Sequence, residues 1–407
     1  MPPLYIHHYS QTMKQSLVLL LMMLQLGLGA QTFVFGRITD AKSNEPIPYA
    51  SVVYGHTRGT NSDLEGHYRL TIYKREGVTT LQISCIGYVT QQIDISSVRG
   101  REQIDIQLEP TSYSLNPFTV YERELTPFEM IQLALSRIEE NYVTHERQLI
   151  AIYKEQVIHQ SRRDGRTSRT LTAGVLIEDP GYRRRLGSRY FLREEVYVMG
   201  IDKGVDSIYR FNNPFASEGN QLKYLLTSNW LRYRIGYLTK SRKYDYTIVN
   251  RIADSTFNST IYQIRITHKD PESYYPSFDV FVNNNNFQIE RIEMLPRERI
   301  FKRDAKSWAP GEYIVNVDDV FVVVFKYNAE KKLDLFYMCR HTTVGNFLKE
   351  NDSISMVRTI YSEITIVEEP SERLDTSEMI PMNKWVDIYR QDEAPPDKNF
   401  WERFNIF

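Results

Sequence analysis

Hydrophobic and polar positions alternate with a period of two over much of this chain, which is typical of half-buried β-strands. In the first 110 residues the alternating runs are short and are separated by Pro, Gly, Asn and Asp. The runs with strand character are residues 33–40, 50–54, 68–73, 79–86, 89–95 and 103–108. Six or seven short strands in about 80 residues predict a small β-sandwich.

Residues 60–88 form the centre of this unit. Two of its strand runs, 68–73 and 79–86, are flanked by Asp63 to Gly66 on one side and by Gly87 on the other. An Asp side chain accepts hydrogen bonds from nearby backbone amides, and Gly adopts a positive φ without steric cost. We therefore predict a turn at Asp63 with Gly66 at positive φ, and a hairpin made of the two runs.

A single helix is predicted after residue 125. Thr126 has the hydroxyl of an N-cap, Pro127 suits the first helical position, and Glu129 completes a capping box. Apolar residues then recur at spacings of three and four: Met130, Ile131, Ala134, Leu135, Ile138 and Tyr142. We expect this stripe to dock on the sheet that follows, with a free partner-binding helix as the alternative.

From Leu149 to about Val367 the chain is a succession of strand runs without another long helical pattern. The runs are residues 149–159, 170–179, 194–201, 244–252, 260–269, 278–295, 312–327, 333–344 and 357–369. They predict a large antiparallel sheet that curves into an open or closed barrel. Asn283 to Asn286 is predicted to be a turn, because Asn tolerates the left-handed region.

Four motifs in order carry a resemblance to a known family. They are Gly36-x-Ile38-x-Asp40, residues 45–52 (EPIPYASV), residues 59–70 (GTNSDLEGHYRL) and residues 83–88 (ISCIGY). Over residues 33–110 the chain resembles the carboxypeptidase regulatory-like domain, although Asn61-Ser62 stands where the family more often has a Thr in second place. The resemblance implies a transthyretin-like, Ig-like β-sandwich of Gram-negative cell envelopes. Despite its name, that family is non-catalytic.

A second resemblance rests on pattern alone. The strand at residues 261–266, followed by the strand, turn and returning strand of residues 278–295, is similar to the half-barrel of periplasmic lipoprotein carriers. The expected fold class is therefore mainly β, with a small β-sandwich, one amphipathic helix and a large antiparallel β domain that is half-barrel or barrel-like. The expected domains are a signal peptide (1–30), the sandwich (31–110), a linker (111–125), the capped helix (126–143), the β domain (147–370) and a C-terminal tail (371–407).

Residues 13–30 indicate export. One Lys precedes an apolar core at 17–26, and Gly29-Ala30 provides a small-residue cleavage site. The apolar run is short for a membrane-spanning helix, so a retained anchor is the lesser alternative. Met13 is the expected start of translation. No Cys stands directly after Ala30, which argues against a lipoprotein. We predict a periplasmic or outer-membrane-associated protein that contacts the membrane at most peripherally.

Composition narrows the function further. A formal net charge of −1 gives no bulk attraction to nucleic acid. Two cysteines, Cys85 and Cys339, are too few for a disulfide framework in an oxidising compartment. We expect both to be buried small hydrophobes, with a long-range bridge as the alternative.

Charged residues on the later strands argue against a transmembrane barrel, which requires an uninterrupted apolar outer face. They are Lys154, Glu155, Arg251, Arg265, Glu290, Arg291, Glu293 and Lys326.

The search for catalytic chemistry is negative. The eight histidines show neither a zinc-peptidase spacing nor a second His at helical spacing, and no nucleophile elbow, phosphate loop or dinucleotide fingerprint occurs. We therefore assign no catalytic, cofactor-binding or metal residue and no cofactor. The acidic pairs Asp318-Asp319 and Glu368-Glu369 could bind a cation, although surface carboxylates usually face water.

Two basic stretches, residues 161–169 and 181–190, could contact anionic glycan, lipid headgroups or nucleic acid, with Tyr182 and Tyr190 as stacking faces. The preferred interpretation is a solvated hairpin tip with acidic neighbours.

Aromatic residues on the later strands should divide between a core and a second surface: Tyr262, Phe278, Phe281, Tyr313, Phe321, Phe325 and Phe336.

The function expected from these observations is that of a non-catalytic envelope binding or assembly module. Its partner would be an envelope protein, a glycan or an apolar ligand, and not nucleic acid. Two alternatives stay open at this point. One is a periplasmic carrier that holds an apolar ligand in a half-barrel. The other is a hydrolase whose site is assembled from distant strands.

Overall fold

A computed structural model describes residues 33–54, 58–63, 65–72, 79–110, 124–161, 165–182, 194–205, 220–233, 238–254, 259–270, 273, 275–295, 301–304, 311–328, 330–351, 353–377 and 379–383. The expected signal peptide, most of the expected linker and residues 384–407 of the expected tail lie outside these ranges.

The N-terminal unit is a β-sandwich. Its strands are β1 (Phe33–Asp40), β2 (Ser51–Tyr54), β3 (Arg58–Asn61), β4 (His67–Thr71), β5 (Thr80–Ser84), β6 (Gln91–Asp94), β7 (Arg101–Gln103) and β8 (Ile106–Leu108). One sheet has the order β4-β1-β7 with β8 also paired to β1, and the other has the order β3-β2-β5-β6. Apolar side chains of both sheets, among them Val34, Ile38, Leu81 and Ile83, form one core between them.

The predicted hairpin is wrong. Strand β4 pairs with β1, whereas β5 pairs with β2 and β6, so the two strands belong to different sheets. The connection from Thr71 to Thr80 is longer than the roughly two to five residues of a hairpin loop. It therefore permits a crossing from one sheet to the other, which lets both strands contribute to the same core.

The predicted turn at Asp63 is confirmed. The Asp63 carboxylate accepts hydrogen bonds from the amides of Glu65 at 3.1 Å and His67 at 2.7 Å. Gly66 has a φ of 80°. A Cβ at this position would lie 2.5 Å from the carbonyl oxygen of Ile38. The turn therefore requires glycine both for its backbone conformation and for its contact with β1.

The predicted helix is present but ends early. Helix α1 covers Pro127–Ser136, and a short helix α2 covers Ile138–Asn141. Both bonds of the capping box between Thr126 and Glu129 are formed. The helix breaks at Arg137, which adopts φ −99° and ψ 15°. This break turns the chain so that Tyr142 can form a β-bridge with Leu333 and donate a hydrogen bond from its hydroxyl to the carbonyl of Ile289 at 2.5 Å.

The large domain contains twelve strands and two further short helices within the described residues. The strands are β9 (Arg147–Ser161), β10 (Gly165–Asp179), β11 (Glu195–Val205), β12 (Tyr244–Asp254), β13 (Ser259–His268), β14 (Phe278–Asn283), β15 (Ile289–Met294), β16 (Phe301–Asp304), β17 (Glu312–Tyr327), β18 (Leu333–Leu348), β19 (Ile354–Glu368) and β20 (Ile380–Pro381). The helices, which the sequence analysis did not predict, are α3 (Gln221–Leu226) and α4 (Trp230–Tyr233).

These strands form one antiparallel sheet, as predicted. Its order is β12-β13-β14-β15-β17-β18-β19-β9-β10-β11-β20, with β16 added beside β17. The sheet is open, because β12 and β20 stand at opposite ends of this order and the barrel does not close. The turn predicted after Asn283 is present, but its left-handed residue is Phe287 (φ 57°) and not an asparagine.

One face of the sheet, here called the inner face, is covered by α1 to α4. The helices contribute Ile131, Leu135, Leu225 and Trp230 to the same core as strand residues Phe278, Phe321 and Phe325. The Trp230 and Phe278 rings meet at 4.2 Å between their centroids. The predicted docking of the capped helix on the sheet is therefore confirmed, and the inner face is filled by the chain itself wherever the structure describes it.

The predicted division of the aromatic residues is also observed. Tyr262, Phe278, Phe321 and Phe325 lie in the core of the inner face. Phe281 and Phe336 belong to two smaller clusters that include residues of the sandwich, and Tyr313 stacks on Phe347.

Among the described residues, no helix has the length and apolarity that crossing a bilayer requires.

Candidate functional site

A crevice of about 270 Å³ lies where the sandwich meets the outer face of the large sheet. The sandwich lines it with Tyr49, Ser51, Gln82, Ser84 and Cys85, and the sheet lines it with Glu290, Arg291, Lys326 and Tyr327. Two apolar clusters contain residues of both domains. Tyr49 packs with Val322, Phe336 and Cys339, and Ile86 packs with Phe281. The crevice is therefore bordered by close packing between the domains.

The alternation of strand β17 accounts for its contribution to the crevice. Phe321, Val323 and Phe325 pack in the core of the inner face. The intervening residues Val322 and Val324 belong to the outer cluster around Tyr49. Since successive side chains of a strand point to opposite faces, Lys326 also belongs to the outer face, and it lines the crevice.

Tyr49 anchors the sandwich on the sheet through an unusual backbone conformation. It follows Pro48 and has a φ of 59°, which is sterically costly for a residue with a Cβ. Its ring is buried and lies 6.3 Å from the Tyr337 ring between centroids. The Arg291 guanidinium lies 5.3 Å from the centroid of the same ring. The burial of this large ring between the domains offsets the strain of its backbone.

Lys326 has few partners. Its Nζ donates a hydrogen bond to Ser51 Oγ and lies 3.3 Å from the centroid of the Phe336 ring. Within the part of the chain that the structure describes, it forms no ion pair. Burial lowers the pKa of Lys326 well below its ordinary value, because desolvation disfavours the ammonium form. The crevice thus contains a basic group that no carboxylate of the described chain neutralises.

Arg291 differs from Lys326 because it is paired. Its guanidinium forms a salt bridge with Glu293 and lies between the rings of Tyr49 and Phe281, at 5.3 and 5.5 Å from their centroids. Burial by itself lowers the pKa of Arg291, but the charge of Glu293 and smaller contributions from neighbouring thiol and hydroxyl groups together outweigh burial and raise the pKa above its ordinary value. Arg291 is therefore a cation whose charge already has a carboxylate partner in the chain.

The two cysteines lie on opposite sides of the domain boundary and are both free thiols, so the long-range disulfide is not formed. Cys85 lines the crevice, and Cys339 is buried beside Tyr49. Burial raises the pKa of Cys339 to about 12. Burial also raises the pKa of Cys85, although the neighbouring Arg291 opposes this rise. The prediction of full burial is confirmed for Cys339, whereas Cys85 is only half-buried.

A second polar cluster, here called the arginine network, lies within the large domain. Arg232 pairs with Asp179 at 2.5 Å and with Glu194 at 2.6 Å. Arg147 pairs with Asp179 at 3.3 Å, with Glu369 at 3.1 Å and also with Asp334. Burial alone lowers the pKa of Arg232, but its carboxylate partners raise it well above the ordinary value. Each of the two guanidinium groups thus has carboxylate partners from the chain itself, so the network is a structural element of the fold.

The structure corrects two expectations about the basic stretches. Tyr182, considered as a stacking face, is 1% exposed and lies beneath the Arg232 guanidinium at 4.3 Å from its ring centroid. Arg169, expected at a solvated hairpin tip, is buried and pairs with Glu155 at 2.9 Å. Burial leaves neither side chain available to a macromolecule. Tyr190 and the rest of the second stretch lie outside the described residues.

One member of each acidic pair considered as a cation site is held by the chain's own groups. Asp319 accepts hydrogen bonds from Arg340 at 3.0 Å and Thr342 at 3.0 Å, and Glu369 pairs with Arg147. Within the described ranges, no group of three His, Cys, Asp or Glu side chains is arranged to hold a metal ion.

The sequence analysis missed the crevice because its residues come from distant parts of the chain. One signal was present: Lys326 interrupts the apolar run of residues 320–325. It was counted as a charge that argues against a membrane barrel. A lysine in an otherwise apolar strand also indicates that the fold must accommodate a cation there. In the structure, Ser51 accepts a hydrogen bond from this lysine and the Phe336 ring lies against it.

The sandwich defines the class of its domain. Residues 34–120 match the family model of the CarboxypepD_reg-like domain. The N-terminal sandwich is therefore a carboxypeptidase regulatory-like domain, and the resemblance found in its four motifs is confirmed. The match covers about a fifth of the chain and does not include the large domain, so it describes the sandwich alone.

Comparison with solved structures gives weaker likenesses. A LolA superfamily protein of Nitrosomonas europaea matches with 11% identity and a TM-score of 0.21, covering 61% of this chain and 96% of that protein. A putative outer membrane lipoprotein-sorting protein domain of Vibrio parahaemolyticus has 12% identity and a TM-score of 0.20, with coverages of 61% and 93%. MucB in complex with MucA(peri) has 10% identity and a TM-score of 0.17, with coverages of 59% and 94%. Similarities at this level establish no shared function. No curated protein matches the sequence.

Proposed function

We propose that this protein is an exported, non-catalytic binding or assembly module of the cell envelope, and that it binds its ligand in the crevice between the sandwich and the large sheet. The observation that carries this proposal is the contrast between the two faces of the sheet. The inner face is filled by four helices, whereas the outer face and the sandwich together border an open crevice. A binding site at a domain boundary is a common arrangement in proteins.

The carrier alternative requires an empty apolar lumen. On the described inner face, packed side chains fill the space that such a lumen would need. Ile131, Leu225 and Trp230 occupy the space above the strands. An apolar ligand would have to displace packed side chains, each of which contributes roughly 1.5 to 3 kcal/mol by its burial. The hydrolase alternative requires a nucleophile beside a base or a pair of catalytic carboxylates, and the carboxylates of the arginine network are held by arginines.

Uptake of an apolar fluorescent dye, 1-N-phenylnaphthylamine, separates the binding module from the carrier. We expect the intact protein to show no saturable uptake. The variant Trp230→Ala serves as a positive control, because removal of this 2%-exposed ring creates a cavity beside Phe278 in the inner face. Saturable, stoichiometric uptake by the unmodified protein would overturn the proposed function in favour of the carrier.

Export is tested separately. Sequencing the amino terminus of the mature protein from an envelope fraction should give a chain that begins at Gln31, after removal of residues 1–30. A mature chain that still begins at Met1 or Met13 would contradict the proposed location.

A further inference from the structure

We infer that the crevice binds a small ligand through a single carboxylate, which forms an ion pair with Lys326. This inference rests on the proposed function, since it names the ligand class of the proposed site. The shared chemistry could come from a free organic acid or from the C-terminal carboxylate of a peptide.

The charge around Lys326 supports a monoanion. The ammonium has one hydroxyl and one aromatic face as neighbours, and both are neutral. Among the described residues that line the crevice, the acidic one is Glu290, whose carboxylate accepts a hydrogen bond from Asn283 at 2.9 Å. Arg291 is neutralised by Glu293. One positive charge is therefore available to a ligand, which matches a single carboxylate.

The ammonium form of Lys326 is stabilised by an anionic partner. Removing an ammonium from water without pairing it costs several kcal/mol, so the free protein retains an unfavourable electrostatic arrangement. A carboxylate at hydrogen-bond distance from Nζ would supply the missing partner. The Ser51 hydroxyl, which accepts from Lys326, keeps its own proton and can donate it to the same carboxylate.

The sandwich provides hydrogen-bonding groups for the rest of the ligand. The side chains of Gln82, Ser84 and Thr90 line the crevice, and none of them makes a side-chain hydrogen bond within the described residues. A volume of about 270 Å³ lies near the lower end of the range for ligand pockets. The crevice therefore suits a small polar ligand, no larger than a short peptide. Its carboxylate would lie on the side of the large sheet, and its neutral polar groups would lie on the side of the sandwich.

The experiment uses the mature full-length protein and three probes. They are acetate, N-acetyl-alanyl-alanine with a free carboxylate, and the same dipeptide as its amide. Binding is followed by the change in amide NMR signals during titration. A second reading is the rate at which a thiol reagent modifies Cys85, which lines the crevice, while the buried Cys339 stays unmodified.

We expect the free dipeptide to bind and to slow the modification of Cys85, and the dipeptide amide to bind about tenfold more weakly or not at all. Lys326→Met should weaken binding of the free dipeptide by about tenfold or more, and Lys326→Arg should restore most of it. Lys42→Met changes the net charge equally at an exposed lysine of the sandwich and should leave binding unchanged.

The arms of the experiment separate the sources of the carboxylate. Binding of acetate as tight as that of the free dipeptide identifies a free organic acid, and preference for the dipeptide identifies a chain-terminal carboxylate. Equal binding of the free dipeptide and its amide, unchanged binding in Lys326→Met, or no binding of any probe would overturn the inference. None of these results would produce uptake of apolar dye, so a failure here is distinct from a failure of the proposed function.

Discussion

The arginine network and Lys326 of the crevice differ in how the large domain surrounds a basic side chain. In the arginine network, Arg147 and Arg232 pair with the carboxylates of Asp179, Glu194, Asp334 and Glu369. In the crevice, Lys326 has a serine hydroxyl and a phenyl ring. The guanidinium groups have carboxylate partners within the fold, whereas the ammonium is left for a partner that does not belong to the described chain.

This difference separates a structural role from a binding role. Breaking a matched buried pair leaves a charge without a partner and is strongly destabilising. Removing a charge that has no ionic partner should instead remove a desolvation cost and raise the stability of the folded state. Substitutions at the two places are therefore expected to change stability in opposite directions, which the following predictions use in order of decreasing effect.

The largest effect is expected for Arg232→Met. The substitution leaves Asp179 and Glu194 buried without one of their cations and should lower the free energy of unfolding by about 3–5 kcal/mol. Chemical denaturation followed by circular dichroism measures it. Arg242→Met, at an exposed turn position, is the matched control and should change stability by less than about 0.5 kcal/mol. A loss of the same small size at Arg232 would show that the network is not structural.

Lys326→Met is expected to act in the opposite direction. The variant keeps the length of the side chain, removes a poorly compensated charge and leaves an apolar group beside Phe336, so stability should rise by about 1–2 kcal/mol at neutral pH. The same denaturation experiment measures it, with Lys42→Met as the charge control. Destabilisation by Lys326→Met would mean that the ammonium is well satisfied in the folded protein.

The gain from Lys326→Met should depend on pH. Because the pKa of Lys326 is lower in the folded state than the roughly 10.4 of an unfolded lysine, the unfolded state binds more protons between these two values. The stability contributed by the native lysine therefore rises with pH inside that window, and it is constant at its lowest value below the window. The stability difference between Lys326→Met and the native protein should shrink as the pH is raised from 7 toward 10. A constant difference would contradict a lowered pKa.

The smallest effect is expected at an exposed ion pair. Lys154 lies 3.4 Å from Glu363, and its side chain is 52% exposed. Lys154→Met should therefore cost at most about 1 kcal/mol. Raising the salt concentration should reduce this difference further, whereas the effect of Arg232→Met should persist.

Local features of the fold were predictable from the sequence. The capping box at Thr126, the positive φ of Gly66 and the limits of strand β17 depend on neighbouring residues, and each is confirmed. The partner of β4 was not predictable in the same way, since turn residues alone do not distinguish a hairpin from a crossing between sheets. Helices α3 and α4 were missed because four to six residues give too short a periodic pattern.

The candidate site lay beyond such reasoning. Ser51, Arg291 and Lys326 come from three separate parts of the chain and meet because the sandwich packs on the outer face of the sheet. The left-handed conformation of Tyr49, which accompanies this contact, occurs at a residue type that rarely adopts it. The interruption of an apolar strand by Lys326 was visible in the sequence, but its meaning depended on which surface covered it.

The most direct test of the binding role is the titration of Lys326 itself. Its side-chain Nζ and Cε signals, assigned through Lys326→Arg, can be followed by NMR in the free protein and in the presence of N-acetyl-alanyl-alanine. We expect the pKa of Lys326 to lie well below those of the exposed lysines in the free protein, and to rise when the carboxylate binds. A Lys326 that titrates together with the exposed lysines, and that does not respond to the dipeptide, would contradict an unpaired cation that awaits an anionic ligand.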